Sequence, residues 1–219
     1  MSVANIFFMP DRILCLSDTL VYDNDTGRPA YLCDRKTFVY GRMAVVTRGT
    51  VPAGRAVNAI AEDYTDVDGA RAVLDNAHAL ILEHKLNEDP TLTVETTAMG
   101  WSDVKGDLVA YRWELLDGQS TVTFRELPRG MHLAPGFNTA LPPMPPAMDD
   151  ARLVRVALAQ HATAQQMEYN MCIGGVMHVT EVTADSVSQR IVGTYPDYDQ
   201  HAEAFGCPNE EAVAAFRAQ

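Results

Sequence analysis

Three side chains and one glycine in the first fifty residues have the types needed to cleave an acyl bond without a histidine: Ser2, Asp18, Lys36 and Gly49. Ser2 follows Met1, and Met before Ser is readily removed in a cell. The exposed α-amino group would titrate near ~7.7–8.0. It could then act as base for the hydroxyl of its own residue. A Lys36 ammonium nearby would lower the proton affinity of that hydroxyl, and Asp18 would keep the lysine charged and oriented. The Gly49 N–H could stabilise the tetrahedral oxyanion. The product is an acyl-enzyme that water resolves. Each residue also has a plain structural reading: Ser2 as an ordinary chain start, Asp18 as a turn former, Lys36 as a solvated strand residue, Gly49 as a corner glycine.

These residues need elements to bring them together. Val3–Met9 and Ile13–Leu16 are apolar runs around Pro10-Asp11-Arg12, the pattern of a hairpin, and Ser17-Asp18-Thr19 ends the second run. Asp23–Pro29 reads as a polar loop between Leu20–Tyr22 and a strand at Ala30–Cys33. Lys36 opens a further strand to Tyr40, and Met43–Thr47 is a short apolar strand of the doubly buried kind. Arg48-Gly49-Thr50 turns into a helix with Pro52 in its first turn.

Asp66 or Asp68 can cap a second helix, with Ala70, Val73, Leu74, Ala77, Leu80, Ile81 and His84 on one stripe, ending at Asn87–Pro90. Strands are expected over Leu92–Trp101, Asp107–Leu115 and Gln119–Leu127, the last two joined through Leu116-Asp117-Gly118. Pro128–Pro146 reads as an irregular surface segment. A third helix follows over Met148–Gln166, facing inward with Leu153, Val154, Ala157, His161 and Ala164. Met171–Val182 and Ser186–Val192 make a last strand pair. The tail from Tyr195 is polar, with a short helix over Asn209–Arg217. Strands and helices come in separate runs without βαβ alternation, which points to antiparallel sheets covered by helices.

Composition narrows the function classes. The chain has 219 residues, 47% hydrophobic and 21% charged, as one sizeable globular domain does. A net charge of −12 disfavours nonspecific nucleic-acid binding, which needs clustered Lys and Arg. No apolar run approaches the ~20 residues of a membrane span. Cys15, Cys33, Cys172 and Cys207 match no zinc spacing, and Cys15 and Cys172 read as buried free thiols in a reducing, cytoplasmic compartment. His78, His84 and His161 read as satisfied core or partner-facing residues, since no carboxylate or second histidine sits at ligand spacing beside them. No cofactor or metal is expected.

The element order, with the Ser2 to Asp18 separation and Lys36 opening the next strand, resembles the proteasome-like branch of the N-terminal-nucleophile hydrolases. The resemblance covers roughly the whole chain in element order and is specific over the first fifty residues. It implies one α+β domain over residues 1–219, a four-layer αββα sandwich of two antiparallel sheets between helical layers. It implies catalytic roles for Ser2 (in place of the usual Thr), Asp18, Lys36 and Gly49, a peptide or amide substrate, and assembly into a homo-oligomeric ring, with two rings often paired. The broad stripe of Gly69–Leu86 would serve both the core and a neighbouring subunit.

The family's supporting Ser, and its late Asp and Ser, align with Ala134-Pro135-Gly136 and with Asn170 and Ile173 before Gly174-Gly175, where those hydroxyls and that carboxylate are missing. A non-catalytic ring or shell subunit therefore stands beside the peptidase reading, and a small-amide acylase on the same scaffold is a third.

Overall fold

In a computed structural model, residues 2–23, 26–136, 147–166 and 173–218 are described. They form a mixed α/β structure of antiparallel sheets and five helices. The first sheet has the order β10-β1-β2-β11-β12, built from Gly130–His132 (β10), Ala4–Phe8 (β1), Ile13–Ser17 (β2), Val176–Val182 (β11) and Val187–Thr194 (β12). The other five-stranded sheet has the order β5-β6-β7-β8-β9, from Thr37–Tyr40, Met43–Gly49, Val94–Ser102, Asp107–Leu115 and Thr123–Glu126. A small ribbon pairs β3 (Leu20–Tyr22) with β4 (Pro29–Leu32).

The hairpin at the chain start forms in the register Ala4↔Ser17 to Phe8↔Ile13. Every residue of both strands is buried. That explains why the run shows no polar alternation: both of its faces are covered. Ala4, Ile6, Phe8, Ile13 and Cys15 pack with Ala44, Val46, Met99 and Ala110 of the other sheet. Val3, Phe7, Leu14 and Leu16 pack with Leu153 and Ala157 of α3 (Asp150–Gln166). The far face of the second sheet packs on α1 (Val51–Ala61) and α2 (Val67–Asn87) through residues such as Val45, Val57, Leu74 and Trp113. Asp66 caps α2, accepting from the Gly69 N–H at 2.8 Å, while Asp68 instead accepts from Ser102 Oγ at 2.7 Å.

Several expectations are corrected. The stretch Pro128–Pro146 is not wholly irregular: Gly130–His132 is β10, which pairs with β1. Its neighbour Ala134 is buried and donates to Asn5 Oδ1 at 3.0 Å. Residues 137–146 lie outside the described residues. Backbone pairing to an existing edge needs little of the side chains, so so short a strand leaves little pattern to read. The expected strand Gln119–Leu127 contracts to Thr123–Glu126.

On α2, Leu80 and His84 face out, whereas His78 and Lys85 are buried. His78 is a satisfied core histidine, as expected, whereas the burial of Lys85 is one that residue type alone does not reveal. His78 bonds to Leu74 O at 2.7 Å and Thr96 Oγ1 at 2.9 Å, and Lys85 Nζ donates to Leu92 O at 2.5 Å. The polar tail carries a second helix, α4 (Tyr198–Phe205), ahead of α5 (Glu210–Arg217). Its buried side is only Tyr198 and His201, too small an apolar face to read as a helix.

Candidate active site

Chain entry, strand end and strand start converge on one ammonium group. Lys36, just ahead of β5, sends Nζ to Asp18 Oδ1 at 2.9 Å, to Ser2 Oγ at 2.9 Å and to Leu20 O at 2.5 Å. These three acceptors use all three protons of the ammonium. Asp18 is fully buried and Lys36 nearly so. The same carboxylate oxygen accepts the Val3 N–H at 2.8 Å, so Asp18 also fixes the backbone at the residue after Ser2. Its other oxygen faces the Gly174 N–H at 3.5 Å. Lys36 therefore contacts both Ser2 and Asp18, and the three are supplied by three separate segments.

Gly49 closes the opposite wall. It takes φ +116°, and a Cβ there would lie 2.2 Å from Thr93 O, so only glycine fits the corner between β6 and α1. Successive N–H groups along a strand point to opposite edges. The Thr47 N–H goes to Lys36 O and the Thr50 N–H goes to Thr93 O. The Gly49 N–H consequently points to the same edge as that of Thr47, beyond the start of β5. Ser2, Lys36 and Gly49 all line one cleft of about 430 Å³.

Cys33 also lines this cleft. Burial, only partly opposed by the Lys36 ammonium, pushes its thiol up to about 11, and the thiol donates to Thr19 O at 3.1 Å. It is held as the protonated thiol at neutral pH. Cys15 is buried as expected, with its thiol pushed up to about 12 by burial. Cys172 lies outside the described residues.

The back of the site is assembled from main chain. Thr19 N–H and Leu20 N–H both donate to Gly174 O, at 3.3 and 3.1 Å, and the Val176 N–H donates to Thr19 Oγ1 at 2.9 Å. Gly175 has φ +84°, and a Cβ would meet Thr19 Oγ1 at 2.3 Å. Ile173 is buried in apolar surroundings, and Asn170 lies outside the described residues. Ala134 and Pro135 are pinned elsewhere: Gln160 on α3 donates to Pro135 O at 2.7 Å and exchanges hydrogen bonds with Asn5. An Asn in an otherwise apolar first strand was the available signal for that network.

Behind Gly174 lies a polar cluster that the linear pattern gave no reason to expect. Asp197 Oδ2 lies 3.2 Å from His161 Nε2, and Asp197 Oδ1 lies 3.9 Å from His201 Nδ1. A carboxylate does therefore meet His161, because α3 passes the segment between β12 and α4, and the same carboxylate faces His201 on α4. The Asp197 carboxyl is held below its usual value: burial raises it, but the bond and charge of His161 and the charge of His201 outweigh that. Among the described residues no three His, Cys, Asp or Glu side chains form a group able to hold a metal ion. Among them, too, no helix is long and apolar enough to cross a membrane.

No family model and no curated protein matches the chain. Solved structures do. Anbu (ancestral beta-subunit) from Yersinia bercovieri aligns over 99% of this chain and 97% of its own, with a TM-score of 0.61 at 10% sequence identity. An Anbu (Gly-1) mutant from Hyphomicrobium sp. strain MC1 aligns over the same shares, with a TM-score of 0.56 and 10% identity. The likeness is one of fold, over nearly the full length of both chains.

Proposed function

We propose that this chain is a proteasome-like N-terminal-nucleophile peptidase or amide hydrolase, a single domain built as a four-layer αββα sandwich and acting through Ser2. The layered reading rests on three apolar clusters: one between the two large sheets, one beneath α3, and one beneath α1 and α2. The single observation that carries the catalytic reading is the Lys36 ammonium, placed 2.9 Å from both Ser2 Oγ and Asp18 Oδ1.

In the proposed reaction, removal of Met1 frees the Ser2 α-amino group. That amine takes the hydroxyl proton as Oγ bonds to the scissile carbonyl carbon. Lys36 lowers the proton affinity of the hydroxyl, and Asp18 keeps the lysine charged. The oxyanion takes a hydrogen bond from the Gly49 N–H. The C–N bond then breaks as the ammonium of Ser2 returns its proton to the leaving amine. Water, deprotonated by the same amine, releases the acid and restores the hydroxyl.

Assembly into a homo-oligomeric ring belongs to the same reading. Leu80 and Leu86 stand 62% and 59% exposed on α2, apolar area that a neighbouring subunit would cover. A single monomer peak in light scattering would defeat this part. The catalytic part is tested by intact mass and by labelling with a β-lactone. Loss of Met1 and one adduct on Ser2, abolished in Ser2→Ala, are expected. A processed N-terminus that takes no label would favour a non-catalytic ring or shell subunit, the reading to which the missing hydroxyl at Ile173 also lends weight.

A further inference from the structure

We infer that the cleft beside Ser2 selects an acyl group bearing a carboxylate, as in a glutamyl or aspartyl residue immediately before the scissile bond, with Arg55 as the selecting cation. The charge balance of the cleft is opposite to that of the chain. Arg35, Lys36, Arg48 and Arg55 line it, against one lining carboxylate, Asp34. The chain as a whole carries −12.

Three of these cations are already matched. Arg35 pairs with Asp34 at 2.6 Å, Lys36 with Asp18 at 2.9 Å and Arg48 with Glu95 at 3.2 Å. Arg55 pairs with no carboxylate among the described residues, so one positive charge in the cleft is left for a ligand. Nothing on its helix offsets it: the first turn of α1 has no acidic residue, and Thr50 supplies no side-chain cap.

The placement fits a side chain next to the reacting carbonyl. Val51, Arg55 and Asn58 follow the i, i+4, i+7 spacing of one helix face, and all three line the cleft. Arg55 sits one helical turn, about 5.4 Å, beyond Val51. Val51 is two residues past Gly49, the proposed oxyanion donor. An acyl group held at Ser2 and Gly49 would thus send its side chain along this face. A guanidinium there recognises a planar carboxylate through paired N–H donors, and it repels a lysyl or arginyl side chain.

This inference rests on the Ser2 reading only for which bond is cut, and two readouts keep them apart. Binding of N-acetylated tripeptide amides ending in Glu, Gln, Leu or Lys is measured by isothermal titration on protein beginning at Ser2, and on Arg55→Gln and Arg55→Glu. Ser2 reactivity is followed separately with an uncharged β-lactone. The Glu peptide should bind about tenfold more tightly than its Gln counterpart. Arg55→Gln should erase that ratio, and Arg55→Glu should turn it in favour of Lys. Equal binding of Glu and Gln, a Glu preference that survives both substitutions, or no peptide binding at all overturns the inference. Lactone labelling without a Glu preference removes the inference alone. A Glu preference without labelling keeps it and removes the nucleophile.

Discussion

The two ends of the site solve the same problem with different materials. At the front, Asp18 and Lys36 are ionic side chains buried against each other, with every ammonium proton directed to an oxygen. At the back, Gly174 gives only main chain to Asp18 and Thr19, and the Gly175 carbonyl accepts from the Tyr195 N–H. The polar cluster behind them is loose: Tyr195 Oη, Asp197 Oδ1 and His201 Nδ1 are buried without hydrogen-bond partners among the described residues. A fully satisfied network fixes one geometry, whereas a partly satisfied one costs stability and fixes little. Precision in this molecule is therefore concentrated on Ser2 and its lysine, and the far shell serves as packing.

The largest effect expected from this contrast is at the front. Lys36→Ala leaves a fully buried carboxylate without its counter-ion, at a cost of about 3–5 kcal/mol. Urea unfolding should show that loss, and Asp18→Asn with Lys36→Met together should cost less than Lys36→Ala alone. A drop below about 1 kcal/mol for Lys36→Ala, the range of an exposed pair, would place the front on the same loose footing as the back. Next in size is Gly175→Ala. It forces a residue with Cβ to φ +84° and drives that carbon onto Thr19 Oγ1. Strain and overpacking together give about 2–4 kcal/mol, read by the same method. Here the back should prove intolerant, but for steric reasons and not electrostatic ones.

The sequence exposed these two ends unequally. The hairpin was legible because Val3–Met9 and Ile13–Leu16 must bury both faces, and a short turn leaves them one pairing. That pairing places Ser17 beside Ala4, so the closeness of Asp18 to the chain start follows almost from counting. Lys36 needed more: a strand start brought alongside by a second sheet, which only the resemblance supplied. The back was not legible. Asp197 and His201 do stand at i,i+4, but on a tail too polar to read as a helix, and His161 reaches that carboxylate only through the fold. The strand β10 was hidden because three residues, Gly130–His132, can join an edge by backbone alone. Lys85 was hidden because a charged residue on an exposed-looking stripe can reach a carbonyl such as Leu92 O.

Acid should reach the buried imidazoles before it reaches the back cluster, with a smaller effect. Burial depresses the folded-state pKa of His78, His132 and His178 below the ordinary 6.5. The unfolded chain then binds protons that the folded chain does not, so stability is full above about pH 6.5 and falls as the pH drops below it. Asp197 acts in the same direction but at lower pH. Its carboxyl lies below 3.8 in the folded state, so the contribution of the back cluster persists until the pH falls under about 4. Urea midpoints between pH 7.5 and 5 should decline, and His178→Gln, near Asp34 and Arg35 at the cleft, should flatten part of that slope. A flat profile in the unsubstituted protein would mean that these imidazoles take up protons when folded.

The smallest effect tests the looseness of the back directly. The Tyr195 hydroxyl is buried, and burial, with the charges of Asp18 and Asp197 adding to it, raises its pKa well above 10, so it is neutral in the fold. Its oxygen has no hydrogen-bond partner among the described residues. A buried hydroxyl of that kind has lost its bonds to water and gained none, and deleting it leaves the ring's packing in place. Tyr195→Phe should therefore leave urea stability unchanged or raise it by up to about 1 kcal/mol, with the β-lactone labelling rate of Ser2 unaltered. A loss of more than about 1 kcal/mol would mean that the hydroxyl is bridged, through an ordered water, to Asp197 or His201. The back would then be a satisfied network like the front, and a slowed Ser2 label in the same variant would tie that network to Asp18.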